Sequence, residues 1–211
     1  MDTTQENLAE SKGFFGEDRR EIDDYASYFD SLVEAKPLDI PIGRFRCSNL
    51  EDVMLVTTVG TGIGICIHEP EIKAGGLGHL LLPESLIAEF PSFSKESDEL
   101  RKYCEQLMNS MIMTLTQLGG KPSKMKAKLF GAGDFHDNDD GRKVYVFAKE
   151  FLIRNGLQIS SEDIGQKMGR RIQYIPVSGR GIRRLLKRES DLVEISEAEQ
   201  SYAQKFDSAQ I

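Results

Sequence analysis

Between Ile42 and Pro83 the chain breaks into short β-prone runs, each bounded by glycine or proline, and one long helical pattern follows. The runs are Arg44 to Cys47, Val53 to Thr58, Ile63 to His68 and Leu77 to Leu82. From Ser97 to Leu118 the positions Leu100, Tyr103, Leu107, Met111, Leu115 and Leu118 keep a spacing of three or four, and Gly119-Gly120 supplies the stop. A strand over Met125 to Phe130, a helix over Arg142 to Asn155 closed by Gly156, and strands near Arg171 to Ile175 and Gly181 to Leu186 complete the pattern. Strands, long helix, strand, helix, strands is not the regular βα alternation of a doubly wound sheet. The order predicts an α+β domain.

At 211 residues and 39% hydrophobic side chains, the chain is of a size to enclose one core. The ends differ from the middle. Residues 1–40 carry eleven acidic and four basic side chains and read as an extension, disordered over Met1 to Ser11, with one helix from Glu17 to Ala35. Residues 41–188 form the domain. Residues 189–211 turn acidic again, and Leu192, Ile195, Tyr202 and Phe206 give a loose stripe that suits either a surface helix or a mobile arm. With no basic or apolar leader and no long apolar window, the expectation is a cytoplasmic protein without membrane insertion.

The net charge of −7 argues against nucleic acid as a partner. Eight basic residues between Lys167 and Arg188, without an acidic one, are read as a solvated strand pair, with an acidic protein surface as the second reading. Cys47, Cys66 and Cys104 are widely separated and odd in number, which suits neither a disulfide framework nor a zinc knuckle. The glycines of Gly60-Thr61-Gly62-Ile63-Gly64 imitate a phosphate turn but lead into a strand, where a nucleotide site needs a helix. In Asp134 to Gly141, a calcium loop centred on Gly141 would put ligands at His136 and Phe147, which cannot serve. No metal or cofactor is expected. His79 stands in an apolar run just after flexible glycines, where a histidine is usually structural but can exchange protons if a partner is near; the Gly60 to Gly62 hairpin is the place to look.

Several separated motifs occur together. They are Ile65-Cys66-Ile67-His68-Glu69-Pro70, Gly75-Gly76-Leu77-Gly78-His79-Leu80-Leu81-Leu82-Pro83, Leu118-Gly119-Gly120, Ala127-Lys128-Leu129-Phe130-Gly131-Ala132-Gly133, Glu162-Asp163-Ile164-Gly165 and Gly169-Arg170-Arg171-Ile172. In this order and at this spacing, over about residues 42–188, the set resembles the chemoreceptor glutamine deamidases of bacterial chemotaxis, the CheD family. The resemblance implies a sandwich of mixed β-sheets with outer helices, the family's cysteine-hydrolase fold. It also implies action on methyl-accepting chemoreceptors, whose glutamines are converted to glutamate with loss of ammonia, and association with a CheC-type phosphatase.

In such enzymes a thiolate attacks, a histidine activates it and a threonine sets the geometry. His79 matches the family histidine, and Thr57, or its neighbour Thr58, the threonine. The family's cysteine, in L-G-S-C, falls on Gly62 of Val59-Gly60-Thr61-Gly62. Cys66 shares the parity of Gly62 but lies roughly 13 Å further along a strand, and Thr61 offers only an alcohol. Two readings follow. Either the domain keeps its receptor and phosphatase binding with deamidation lost or weak, or it is an active protein-glutamine amidohydrolase using Cys66 or Thr61 with His79. A third, an unrelated binding module acting through the Glu17 to Ala35 helix, rests on the segment outside the resemblance.

Overall fold

A computed structural model describes residues 9–10, 35–90, 97–135 and 139–208. The helix expected over Glu17 to Ala35 lies, apart from Ala35, outside these residues, as does the middle of the polar loop before Gly141. The strands are β1 (Ala9–Glu10), β2 (Lys36–Asp39), β3 (Phe45–Ser48), β4 (Val53–Val59), β5 (Ile63–Glu69), β6 (Ala74–Leu80), β7 (Lys126–Gly131), β8 (Gln158–Ile164), β9 (Gly169–Ile175) and β10 (Arg180–Leu186). The helices are α1 (Glu84–Glu89), α2 (Ser97–Gln117), α3 (Asp140–Arg154) and α4 (Glu189–Ser208).

The strands form two mixed sheets, a six-stranded one in the order β1-β3-β6-β5-β7-β8 and a four-stranded one in the order β10-β9-β4-β2. Each contains one parallel pair, β7 with β8 and β2 with β4. Two cores result. Leu55, Val59, Cys66, Leu77, Phe130, Ile172 and Tyr174 pack between the sheets, while Ile65, Met108, Met111, Leu115, Phe147 and Phe151 join the larger sheet to α2 and α3. This is the expected α+β sandwich of mixed sheets with helices outside.

Local differences from the expected elements have physical causes. β6 begins at Ala74 rather than Leu77 because Gly75, Gly76 and Gly78, poor strand formers on their own, are strand residues here. Their missing side chains let Tyr174, Cys47 and Met111 approach the backbone. β8 carries Ser160, Ser161, Glu162 and Asp163 and pairs only with β7 at the sheet edge, so no apolar alternation marks it. Six residues are too few for α1 to show a helical period. Ala9–Glu10, in the stretch expected to be disordered, pair with Cys47 and Arg46 of β3. The chain after Arg188 is helical throughout Glu189–Ser208, and Lys36–Asp39, before the expected domain start, is a strand of the smaller sheet.

The turn at Gly60 to Gly62 is not a hairpin within one sheet. β4 pairs with β9 and β2, β5 pairs with β6 and β7, and the turn carries the chain from one sheet to the other. The N–H groups of Ala132 and Gly133, just after β7, bond the carbonyls of Gly62 (2.8 Å) and Gly60 (2.7 Å). Gly131 holds φ +121, and a Cβ there would strike the Gly62 carbonyl, so only glycine fits beneath the turn.

Candidate functional site

The sandwich brings Thr57 and His79 together from opposite layers. Thr57 belongs to β4 of the smaller sheet, and His79 to β6 of the larger one, opposite Gly64. Both side chains are almost wholly buried, 1% exposed each. Thr57 Oγ1 lies 2.8 Å from the Ile40 carbonyl and 3.0 Å from His79 Nδ1. A carbonyl only accepts, so the single hydroxyl proton of Thr57 goes to Ile40, and Nδ1–H must donate to Thr57. Burial holds the His79 pKa down to about 3, so the ring is neutral at ordinary pH. The proton on Nδ1 then leaves Nε2 with its lone pair. Nε2 is buried and has no hydrogen-bond partner.

That lone pair addresses position 62. A Cβ built on Gly62 would lie 2.9 Å from His79 Nε2 and 3.0 Å from the Leu80 carbonyl. That is closer than a Cβ ordinarily comes, so the ring or the turn must give slightly to seat a side chain there, and such a side chain would then stand next to the base, as a nucleophile must. Gly62 supplies no reacting atom.

Thr61 sits on the same turn, its hydroxyl buried and without a hydrogen-bond partner. Thr58 faces elsewhere, toward the Arg171 guanidinium at 3.4 Å. Cys66 lies farther along β5, opposite Leu77 and Lys128, and lines a cavity of about 150 Å³ with His68, Lys128 and Tyr174. Burial pushes its thiol pKa well up, away from thiolate. Cys47 and Cys104 are buried as well, with thiols raised for the same reason. No cluster of His, Cys, Asp or Glu suited to a metal ion occurs among the described residues. The basic stretch is partly structural, since buried Arg170 bonds Asp163 (3.1 Å) and the carbonyls of Gly165 and Met168, and Arg183 meets the same carboxylate.

One site residue escaped sequence reasoning. Glu199 of α4 is 6% exposed, and its carboxylate accepts from three consecutive backbone amides: Gly60 (3.0 Å), Thr61 (2.9 Å) and Gly62 (3.0 Å). The turn is an anion-binding nest of the kind formed by successive N–H groups. Burial raises the Glu199 pKa, and the amides of Gly62, Thr61 and Gly60, with the nearby Thr61 hydroxyl, which falls short of a well-formed hydrogen bond, act to lower it. The signal in the sequence was positional: Glu199 falls between Ile195 and Tyr202 on the stripe already read from the tail.

A family model described as CheD chemotactic sensory transduction matches residues 81–184. The probable chemoreceptor glutamine deamidase CheD of Bordetella parapertussis is 32% identical over 157 residues, covering 72% of this chain and 71% of that protein. The protein of the same description from Rhizobium meliloti is 32% identical over 140 residues, 65% of this chain and 74% of its own. A third, from Methylobacillus flagellatus, is 27% identical over 183 residues, 85% of this chain and 88% of the relative, a span that leaves out too few residues to miss Thr57 to His79. The crystal structure of Bacillus licheniformis hypothetical protein YfiH, at 12% identity, overlaps 57% of this chain and 48% of its own with a TM-score of 0.35. No helix among the described residues is long and apolar enough to cross a membrane. On the extent and identity of these matches, the chain belongs to the CheD family.

Proposed function

We propose that this chain is a cytoplasmic chemotaxis protein that binds methyl-accepting chemoreceptors, and a CheC-type phosphatase as a second partner, with glutamine deamidation lost or weak. One observation carries the reading: the neutral, oriented base His79 points its free Nε2 at position 62, where glycine offers nothing to activate.

The chemistry this geometry suits can be written for a thiol at that position. Nε2 takes the thiol proton, and the sulfur attacks the side-chain amide carbon of a glutamine. The charge that develops on the amide oxygen is met by the N–H groups of the Gly60 to Gly62 turn once the Glu199 carboxylate that they hold has moved away. The imidazolium returns its proton to the leaving nitrogen, ammonia departs and a thioester remains. Water, deprotonated by Nε2, then cleaves the thioester to glutamate and free thiol. Thr57 holds the ring in the required tautomer throughout. In this chain the base, its orienting hydroxyl and the amide donors are present, but the first bond cannot form at Gly62.

The test is mass spectrometry of a receptor cytoplasmic fragment incubated with wild type, His79→Ala or Gly62→Cys, scoring glutamine converted to glutamate, with retention of the fragment on immobilised wild type measured in parallel. The proposal expects retention without conversion by wild type, and conversion by Gly62→Cys. Conversion by wild type as fast as by Gly62→Cys, disappearing in His79→Ala, would overturn it in favour of an amidohydrolase using Cys66 or Thr61.

A further inference from the structure

α4 turns Leu192, Ile195, Glu199 and Tyr202 toward the body, spaced three, four and three apart and so on one helical face. Three of these suit a covering helix. Glu199 does not, because a carboxylate taken out of water needs compensating partners, and leucine would cover the same area more simply. Its partners are the three amides of the turn that carries the vacant nucleophile position. A Cβ at residue 62 would lie 3.2 Å from Glu199 Oε1 as well as 2.9 Å from His79 Nε2. The Glu199 carboxyl therefore sits beside the amide donors and the base, where the reacting carbon of a glutamine side chain would have to be. Glutamate is the product of glutamine hydrolysis, with the same chain length and nearly the same shape.

The body is also cut to receive a helix here. A Cβ at Gly60 would meet both Phe135 Cε2 at 2.5 Å and Ile195 Cγ2 at 2.6 Å, one at Gly169 would collide with Ile195 Cδ1, and one at Gly43 would collide with the Tyr202 hydroxyl. The absent side chains leave a trough whose floor is backbone, matched to a branched apolar residue four positions before the glutamate and an aromatic residue three after it.

We propose that α4 is an intramolecular stand-in for a substrate helix: its Glu199 occupies the Gly60 to Gly62 amide nest as a product-like ligand, and a partner helix bearing glutamine or glutamate enters the trough only by displacing α4. The identity of that partner as a chemoreceptor rests on the function proposed above, whereas the occupancy by α4 does not. The arrangement makes the partner site and the tail mutually exclusive.

The test is fluorescence anisotropy with a labelled peptide of residues 189–208 added to the full-length protein. In wild type the resident helix competes with the peptide, and in Glu199→Ala the resident helix has lost its anchor. The peptide is expected to bind Glu199→Ala protein about ten-fold more tightly than wild type, the factor expected when a charge-assisted set of hydrogen bonds is lost from the competitor. A peptide itself carrying Glu199→Ala should lose about the same factor. Hydrogen exchange should show faster exchange in residues 189–208 of the Glu199→Ala protein with α2 unchanged, separating release of α4 from unfolding. Equal peptide affinity for both proteins, or affinity indifferent to residue 199 of the peptide, would overturn the proposal. A receptor cytoplasmic fragment that fails to displace the peptide, while unlabelled peptide succeeds, would overturn the receptor assignment and leave the occupancy by α4 standing.

Discussion

Two helices of nearly equal length, α2 and α4, are attached to this molecule in different ways. α2 buries Cys104, Leu107, Met108, Met111 and Leu115 against the larger sheet, an apolar seam continuous with the main core. α4 buries Ile195 and Glu199, and the Glu199 carboxylate is held by the amides of one turn. An apolar seam is non-directional and cannot easily be exchanged without opening the core. A polar anchor is directional, and any ligand with the same oxygen geometry can compete for it. The first helix therefore belongs to the fold and the second to the site.

The largest expected effect breaks the apolar side of this contrast. Met111→Ala, at a fully buried position, should lower unfolding stability by about 2–5 kcal/mol in urea denaturation. Next comes the bond between the two sheets. Thr57→Val leaves His79 Nδ1–H and the Ile40 carbonyl without their partner, and should cost about 1–3 kcal/mol by the same measurement. Glu199→Ala should cost less than Met111→Ala, about 1–2 kcal/mol, with its effect concentrated in α4, seen as hydrogen exchange that rises in residues 189–208 and stays fixed in α2. A Glu199→Ala variant that loses protection equally in both helices would erase the contrast.

A separate effect is in pH. His79 has a folded pKa of about 3 against an ordinary 6.5, set by burial of the neutral ring. The unfolded chain binds a proton on this residue between those values and the folded chain does not. The stability His79 contributes is therefore complete above 6.5 and is lost as pH falls from 6.5 toward 3. His79→Gln, which has no proton to take up, should flatten that part of the stability profile measured by urea denaturation across pH.

The α+β element order was legible because its strongest signals are periodic: the stripe of α2, the alternation of β5, the glycine stops after both core helices; the layered sandwich was implied by the family resemblance. β8 and α1 were not, since a polar edge strand and a six-residue helix bury too little to leave a pattern. Thr57, Gly62 and His79 were picked out through the family resemblance, and folding places them at one point. What no linear pattern could supply was the crossing at Gly60 to Gly62. The apolar flanks look like a hairpin, yet the turn joins two sheets and so sets a threonine of one layer against a histidine of the other. Glu199 was hidden for a related reason. One acid on a loose amphipathic stripe reads as solvated until the amides 137 to 139 residues earlier are seen to converge on it.

The central claim, that an oriented base faces an empty nucleophile position, can be tested without any receptor by installing the missing thiol. In a Gly62→Cys/Glu199→Ala protein, with the competing carboxylate removed, the rate of alkylation by iodoacetamide is measured against pH. The Glu199→Ala protein gives the background from Cys47, Cys66 and Cys104, which are buried and hold their protons. A new thiol at position 62 is expected to be alkylated faster than the background, and more slowly once His79→Ala is added, because the neutral ring can take the thiol proton as the new bond forms. A thiol at position 62 alkylated at the same rate whether or not His79 is present would contradict the claim.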